Sequence, residues 1–300
     1  MDWFERLTGF REVNYSDTRA RLRVEDHHLI SLVNGKRYGI GSFKLVSLHE
    51  LRDRTAAIAI RPGRLRSSFT SGDIRVLHRM PTYSGALIQV ASQFNCLEMV
   101  SPKVTPEDGV ANYQYDRTQG PACSIAAGAA TIFRNYLVPV DNAIGQTREL
   151  QLDGLAAISA YLASAAPEKI DILRGKLRIG LHSDVQVTDC HADPTQIVSQ
   201  AFCSALPVAY STIDAGLWAT FARFILEAAY EATLLAAALN HQRGCSPIVL
   251  FTHLGGGAFG NDRQWINDAI RRSLELHSRF DLDVRVVSLQ TSISEYPSAR

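Results

Sequence analysis

The apolar positions of the chain fall into two rhythms. Short, mainly apolar runs at Ile74–His78, Ala86–Ala91, Leu177–Leu181, Ile248–Thr252 and Val284–Leu289 have the length of buried strands. Between and after them lie stretches with helical composition or spacing: Ala122–Tyr136, Gly154–Ala165, Ser211–Gln242 and the amphipathic Arg263–Ser278. Ser211 and Asp214 are both candidate caps for the long helix. Strands that alternate with helices predict an α/β protein with a largely parallel sheet. Ligands of such sheets bind at the carboxyl ends of strands, so the strand-to-helix loops are expected to carry the function.

The first 74 residues read differently. Residues 1–12 predict a short helix. Arg21–Val33 and Tyr38–Val46 have strand composition, and Asn34-Gly35 between them is a hairpin signal. Leu48–Arg54 predicts a short helix. Arg61–Gly72, with Pro62, Gly63 and Gly72, reads as loop. No linker or low-complexity run separates this stretch from the rest. It is expected to be an N-terminal elaboration (1–74) packed on a main domain (75–300).

Composition narrows the class. At 46% hydrophobic, 20% charged and a net charge of +1 over 300 residues, the chain is neither disordered nor a disulfide scaffold. The even balance of 31 Lys+Arg against 30 Asp+Glu does not predict a nucleic-acid binder. Charge is nonetheless uneven: residues 1–80 hold 15 Lys+Arg against 9 Asp+Glu, and the remainder holds 16 against 21. A solvated basic face explains this, as does an acidic partner or an anionic substrate. Cys96, Cys123, Cys190, Cys203 and Cys245 never form CxxC, so free thiols and a cytoplasmic location are expected. The most apolar stretch, Leu217–Leu239, contains Arg223, Glu227 and Glu231 and does not predict a membrane span. The first six residues carry both signs of charge and no apolar run, so no signal peptide is expected.

Three loops carry candidate chemistry. After Ile248–Thr252 comes His253-Leu254-Gly255-Gly256-Gly257-Ala258-Phe259-Gly260-Asn261-Asp262, and then a helix. Its glycines would let backbone N–H groups approach a phosphate, with Asp262 as the helix cap. The phrase matches neither a Walker loop nor a GxGxxG fingerprint. After the strand ending at Ala91 comes Ser92-Gln93-Phe94-Asn95-Cys96-Leu97-Glu98-Met99, polar enough to read a ribose or a base edge. The third loop, Thr105–Pro121, contains Glu107, Asp108 and Asp116 and feeds the alanine-rich helix. A loop of that length inside a compact domain is functional or disordered, and Tyr113 and Tyr115 argue against disorder.

Taken together, a strand ending in an Asn segment, an acidic loop entering a helix, and the late GGGAFGND loop resemble a macrodomain. The late loop is similar to the one that wraps the diphosphate in poly(ADP-ribose) glycohydrolase-type macrodomains. The phrases QVASQFNCLEM and YDRTQGPAC resemble a bacterial branch of macrodomain-like (ADP-ribosyl)hydrolases, some of which act on arginine-linked mono-ADP-ribose. The resemblance spans roughly residues 75–295. It implies a three-layer α/β fold with a mixed, largely parallel sheet, and a ligand contacted by Gln93, Asn95, Glu98, Gly109, Val110, Thr118, Gln119 and the loop from Gly255 through Gly256, Gly257, Ala258, Phe259, Gly260 and Asn261 to Asp262. Polymer-cutting members carry a Gly-Gly-Gly stretch followed by adjacent catalytic glutamates after the Asn segment. This sequence has neither.

The implied reaction is hydrolytic removal of ADP-ribose from a modified protein. Cleavage at the anomeric carbon of the distal ribose passes through an oxocarbenium-like state, which carboxylates can assist without a metal or cofactor. Asp108 and Asp116 are the expected catalytic pair, with Glu107 in reserve. The expected partner is ADP-ribose or an ADP-ribosylated protein, with no membrane and no nucleic acid. A non-catalytic reader of ADP-ribose, or a hydrolase of a small NAD-derived or sugar-nucleotide metabolite, fits the same residues. The linkage (arginine, acidic, serine or nucleic acid), the target protein and the oligomeric state are open.

Other side chains weigh less. His182, Asp184, Asp189, Cys190, His191 and Asp193 cluster after a strand, but their spacing does not specify a metal geometry. Cys123 near a helix start reads as a core thiol more readily than as a nucleophile. Glu227 and Glu231, one helical turn apart, read as a solvated stripe.

Overall fold

The computed structural model describes residues 1–58, 60, 62–98, 104–138 and 152–288. A seven-stranded sheet runs in the order β4 (Ser42–Ser47), β7 (Arg178–Gln186), β8 (Ile197–Cys203), β6 (Leu87–Ala91), β9 (Ile248–Phe251), β10 (Asp283–Ser288) and β5 (Arg66–Ser71). From β8 to β5 every pairing is parallel, whereas β7 is antiparallel to both β4 and β8. The sheet is therefore mixed and largely parallel, as expected. Alternate residues of the central strands enter two different cores: Leu87 and Val249 on one face, Ile88 and Leu250 on the other.

The first face is covered by α9 (Ala215–Gln242), against which α3 (Leu48–Ala57), α7 (Leu152–Ser164), α8 (Pro167–Gly175) and α10 (Arg263–Leu276) pack. The second face carries α4 (Ile74–Arg79), α5 (Gln119–Ala126) and α6 (Gly128–Tyr136). A further cluster joins α6 to α1 (Trp3–Thr8) and to a small antiparallel sheet of β1 (Leu22–Glu25), β2 (His28–Ser31) and β3 (Arg37–Gly39); α2 (Tyr15–Ala20) precedes β1. Helices thus lie on both faces of the main sheet. The N-terminal residues contribute both of its edges, β4 and β5.

Several sequence expectations are corrected. Ile74–His78 is a helix, not a strand: Asp73 Oδ1 accepts from Arg75 N at 2.7 Å, and Ile74, Leu77 and His78 are buried at helical spacing. Arg61–Gly72 contains the edge strand β5, whose residues are mostly exposed and so give no apolar signal. β8 was not expected, because polar Ser199 and Gln200 interrupt its apolar run; both are buried and hydrogen-bonded within the fold. The Arg21–Val33 run is two strands turned at Asp26 and His27, both at positive φ. Tyr38–Val46 is divided at Gly41, where a β-carbon would lie 1.9 Å from Ser183 O. The turn at Asn34-Gly35 joins β2 to β3. The first helix stops at Gly9, and Ala122–Tyr136 breaks at Ala127 into α5 and α6. The long helix begins after Asp214, which caps it. Leu289, the end of the last predicted strand, lies outside the described residues. No described helix is long and apolar enough to cross a membrane.

Candidate active site

The carboxyl ends of β8, β6 and β9 adjoin; the Asn segment leaves β6 and the glycine loop leaves β9 at this edge, and the acidic loop leads into α5 beside it. β6 pairs with β8 along its whole length, from Leu87 to Ala91, but with β9 only at Leu87 and Ile88. Beyond Ile88 the two strands splay. The side chain of Gln119 takes the missing strand's place: its Oε1 accepts from Ala91 N at 2.8 Å and its Nε2 donates to Gln89 O at 2.8 Å. The Gln89 side chain reaches the other way, donating to Thr233 Oγ1 and accepting from Thr252 N, and so ties β6 to the start of the glycine loop.

The glycine loop is folded on itself by a few buried groups. Tyr230 Oη donates to Thr252 O at 2.6 Å and accepts from Leu254 N at 3.0 Å. Asn261 N donates to Gly255 O, and its amide donates to Leu206 O at 2.7 Å. Gly255 is at φ +72, and a β-carbon there would lie 2.4 Å from Ala205 Cβ, so this glycine is required by the loop itself. Gly257 differs: a β-carbon there would meet nothing within 4 Å. Gly256, Gly257 and Ala258 are exposed, and no acceptor among the described residues meets the backbone N–H of Gly257, Ala258 or Phe259. Successive unengaged N–H groups are suited to an anion. Gly260 packs on Ala209, Phe259 stands edge-on to Tyr210, and Asp262 caps α10.

The Asn segment folds inward. Asn95 is buried; its Oδ1 accepts from Leu97 N at 3.1 Å, and its Nδ2 has no partner. Glu98 is also buried. Its backbone N–H donates to Tyr113 Oη at 3.0 Å, and its Oε1 has no partner. Burial pushes the Glu98 carboxyl well above the usual carboxylate range; Arg134 opposes this, and the charge of Asp116 adds to it. Burial thus favours the protonated form of Glu98. Gln93 closes the turn, its N–H donating to Leu97 O. Met99 lies outside the described residues.

The acidic loop is anchored from the N-terminal region. The Glu12 carboxylate accepts from Val110 N, from Ala111 N at 2.7 Å and from Tyr136 Oη at 2.7 Å. Gly109, at φ +84, lies against this carboxylate, and Val110 is fully buried. Asp108 is exposed and engaged in a capping box, its Oδ2 accepting from both N and Oγ1 of Thr105. Glu107 beside it is exposed. Asp116 is half-buried; one oxygen accepts from Thr118 N at 2.8 Å, at the start of α5. The fold thus brings Asp116 into the electrostatic neighbourhood of Glu98 and gives Asp108 a turn-forming role. Glu12, Gln89, Tyr113 and Tyr230, which hold the loops in place, had no motif to reveal them, since their partners are distant in sequence.

The weaker candidates resolve structurally. Arg134 Nη1 donates to His182 Nδ1 at 3.0 Å, and a guanidinium can only donate, so His182 carries its proton on Nε2 and donates it to Ile40 O. Asp184 pairs with Arg243 and Asp189 with Arg75. No group of three or more metal-ligating side chains occurs among the described residues. Cys123 is a buried core thiol, pushed to a high pKa by burial. All five cysteines are free. Glu227 and Glu231 do not form a solvated stripe. Glu231 is buried and accepts from Arg52 Nε at 2.6 Å and Arg272 Nη1 at 2.8 Å, while Glu227 accepts from Arg174.

No family model and no curated protein matches the chain. Solved structures do. The poly(ADP-ribose) glycohydrolase of Thermomonospora curvata aligns with a TM-score of 0.50 at 13% identity, covering 93% of each chain. The same enzyme bound to the inhibitor ADP-HPD gives the same figures. A point mutant of the Deinococcus radiodurans poly(ADP-ribose) glycohydrolase in complex with ADP-ribose gives 0.49 at 14% identity, covering 84% of this chain and 89% of that one. The layered α/β architecture, helices on both faces of a mixed sheet, is macrodomain-like in fold. More particularly, the chain has the fold of the poly(ADP-ribose) glycohydrolases, with the N-terminal region included in the match.

Proposed function

We propose that the protein binds ADP-ribose across the carboxyl edge of β6 and β9 and hydrolyses its glycosidic bond to a modified protein. The observation that carries this reading is the pair of buried atoms without partners, Asn95 Nδ2 and Glu98 Oε1, at the end of β6. Buried polar atoms are nearly always satisfied, so a pair at a strand end is suited to the hydroxyls of a ligand. The unengaged N–H groups of Gly257, Ala258 and Phe259 suit the diphosphate. The fold shared with an enzyme whose bound inhibitor is ADP-HPD supports the same ligand class.

In this proposal Asp116 orients the water that attacks the anomeric carbon and takes its proton. The bond to the target's side chain breaks, and that side chain leaves with a proton. Glu98 and Asn95 hold the distal ribose. Arginine-linked ADP-ribose is the first substrate to test, because QVASQFNCLEM and YDRTQGPAC resemble hydrolases some of which act on that linkage. Incubation with arginine-linked and with acid-linked ADP-ribosylated proteins, following free ADP-ribose, tests the reading. Release from the arginine-linked substrate is expected. Tight binding of ADP-ribose without release from any linkage would replace the enzyme by a reader, a role favoured by the engagement of Asp108 and Asp116 in their own turns.

A further inference from the structure

The face of β4 turned toward α9 carries Ser42 and Lys44 before it reaches the buried Val46, and the neighbouring strand adds Ser183 opposite Ser42. Where a helix covers a sheet, such positions ordinarily hold apolar side chains that fill the space. Here the space is left open as a groove of about 240 Å³ between β4, β7 and the last turns of α9. Its floor is apolar, formed by Val46, Leu181, Ala236 and Leu239. Its rim holds three cations: Lys44, Arg54 and Arg243.

The cations are not equivalent. Arg243 is held rigidly by both oxygens of Asp184, at 2.5 and 2.7 Å, and by Asn240 Oδ1 at 2.7 Å. That pairing also neutralises Asp184, the carboxylate in the lining. Lys44 and Arg54 make no hydrogen bond or ion pair among the described residues. Asp184 offsets Arg243, and Glu50 one turn earlier on α3 lies within electrostatic reach of Arg54; neither Lys44 nor Arg54 is held by a bond, so both are free to turn toward an anion between them. The basic surplus of residues 1–80 thus has a local destination in Lys44 and Arg54.

We propose that this groove binds a small phosphate ester, its phosphate between Lys44 and Arg54 and its organic body on the apolar floor. The volume is below the range of sites for larger ligands, about 300–1,000 Å³, which points to a sugar phosphate and not a dinucleotide. The site is separate from the glycine loop. Tyr230 of α9 touches that loop, and from Tyr230 to the groove residues Ala236, Leu239 and Asn240 α9 advances about 9–15 Å. The proposal does not depend on the ADP-ribose reading.

Calorimetric titration of the whole protein with ribose 5-phosphate, and separately with inorganic phosphate, tests it. Saturable binding of ribose 5-phosphate is expected, tighter than that of inorganic phosphate. It should weaken at least tenfold in the Lys44→Met, Arg54→Met double variant and persist in Gly257→Val. Neither cation has a bonding partner to lose, so the fold tolerates the double change. Undiminished affinity in the double variant, loss in Gly257→Val, or no binding at millimolar ligand would each overturn the proposal. Equal affinity for the two probes would overturn the ester in favour of a bare oxyanion.

Discussion

Gly120 backs directly onto Glu98: a β-carbon at Gly120 would lie 2.3 Å from Glu98 Oε2 and 2.1 Å from Ala91 O. The first turn of α5 can approach the end of β6 this closely because residue 120 has no side chain. The closeness packs one oxygen of the Glu98 carboxyl, Oε2, against the helix, while Gln119, one residue earlier, closes the free edge of the same strand. Sequence neighbours thus perform two coupled tasks at one strand end.

The buried state of Glu98 makes stability depend on pH. Its folded pKa is raised above the unfolded value of about 4.3, so the native state holds the proton more tightly. Its contribution is fully present below that unfolded value and is lost as pH rises through the folded pKa. Glu98→Gln keeps the shape of the neutral acid and removes this titration. Denaturant midpoints should show the variant gaining on the wild type with rising pH, and the two converging near pH 4. A constant gap across that range would mean that Glu98 is ionised in the folded protein.

Gly257 and Gly255 should separate ligand space from protein space. Gly257→Val places a side chain in open space at ordinary backbone angles, so the thermal midpoint should hold while ADP-ribose binding falls at least tenfold. Gly255→Val forces a β-branched residue to φ +72 against Ala205, which should destabilise the fold by roughly 1–3 kcal/mol. Wild-type affinity in a folded Gly257→Val protein would remove the diphosphate from this loop.

The parts legible in the sequence were those with local causes. The apolar runs of β6 and β9, the Asp262 and Asp214 caps and the Asn34-Gly35 turn each follow from neighbouring residues. The parts that escaped depend on distant partners. β8 hides its strand signal because its buried Ser199 and Gln200 are polar; Ser199 Oγ bonds Asn240 of α9, and Gln200 Nε2 donates to Cys123 O of α5. β5 is an edge strand with exposed serines, recognisable only through its register with β10. At the site, the glycine and Asn segments could be located from their order along the chain. The engagement of Asp108 by Thr105, and of Val110 by Glu12, is visible only once the loops are folded.

Glu231 illustrates the same point for stability. Its carboxylate is buried on α9 and accepts from Arg52 of α3 and Arg272 of α10, which joins three helices through one group. These guanidiniums hold its pKa below the usual range against the opposing effect of burial. Glu231→Met leaves two part-buried guanidiniums without this partner and should cost on the order of 3 kcal/mol in chemical denaturation at neutral pH. Because the folded pKa is depressed, the carboxylate's contribution is present above the unfolded value and is lost as pH falls through the folded pKa. The difference between variant and wild type should therefore shrink below about pH 4. A difference under about 0.5 kcal/mol at neutral pH would class the network as surface decoration.

The two aspartates of the acidic loop should part company in catalysis. Asp116 is half-buried near Glu98, and only one of its oxygens is engaged, by Thr118 N. Asp116→Asn keeps an acceptor for that N–H, so fold and ADP-ribose affinity should survive. Without a carboxylate to take the proton of the attacking water, single-turnover release of ADP-ribose should fall by about 10²–10⁴-fold. Asp108 is exposed, and a single oxygen accepts both of its bonds from Thr105. Asp108→Asn retains that acceptor and should leave the rate within about threefold of wild type, as general bases must lie within hydrogen-bond reach of the proton they take. If Asp108→Asn is the variant that loses turnover while Asp116→Asn does not, the loop opens from its capping box on binding substrate and Asp108 is the base. If both keep wild-type rates, neither aspartate activates the water.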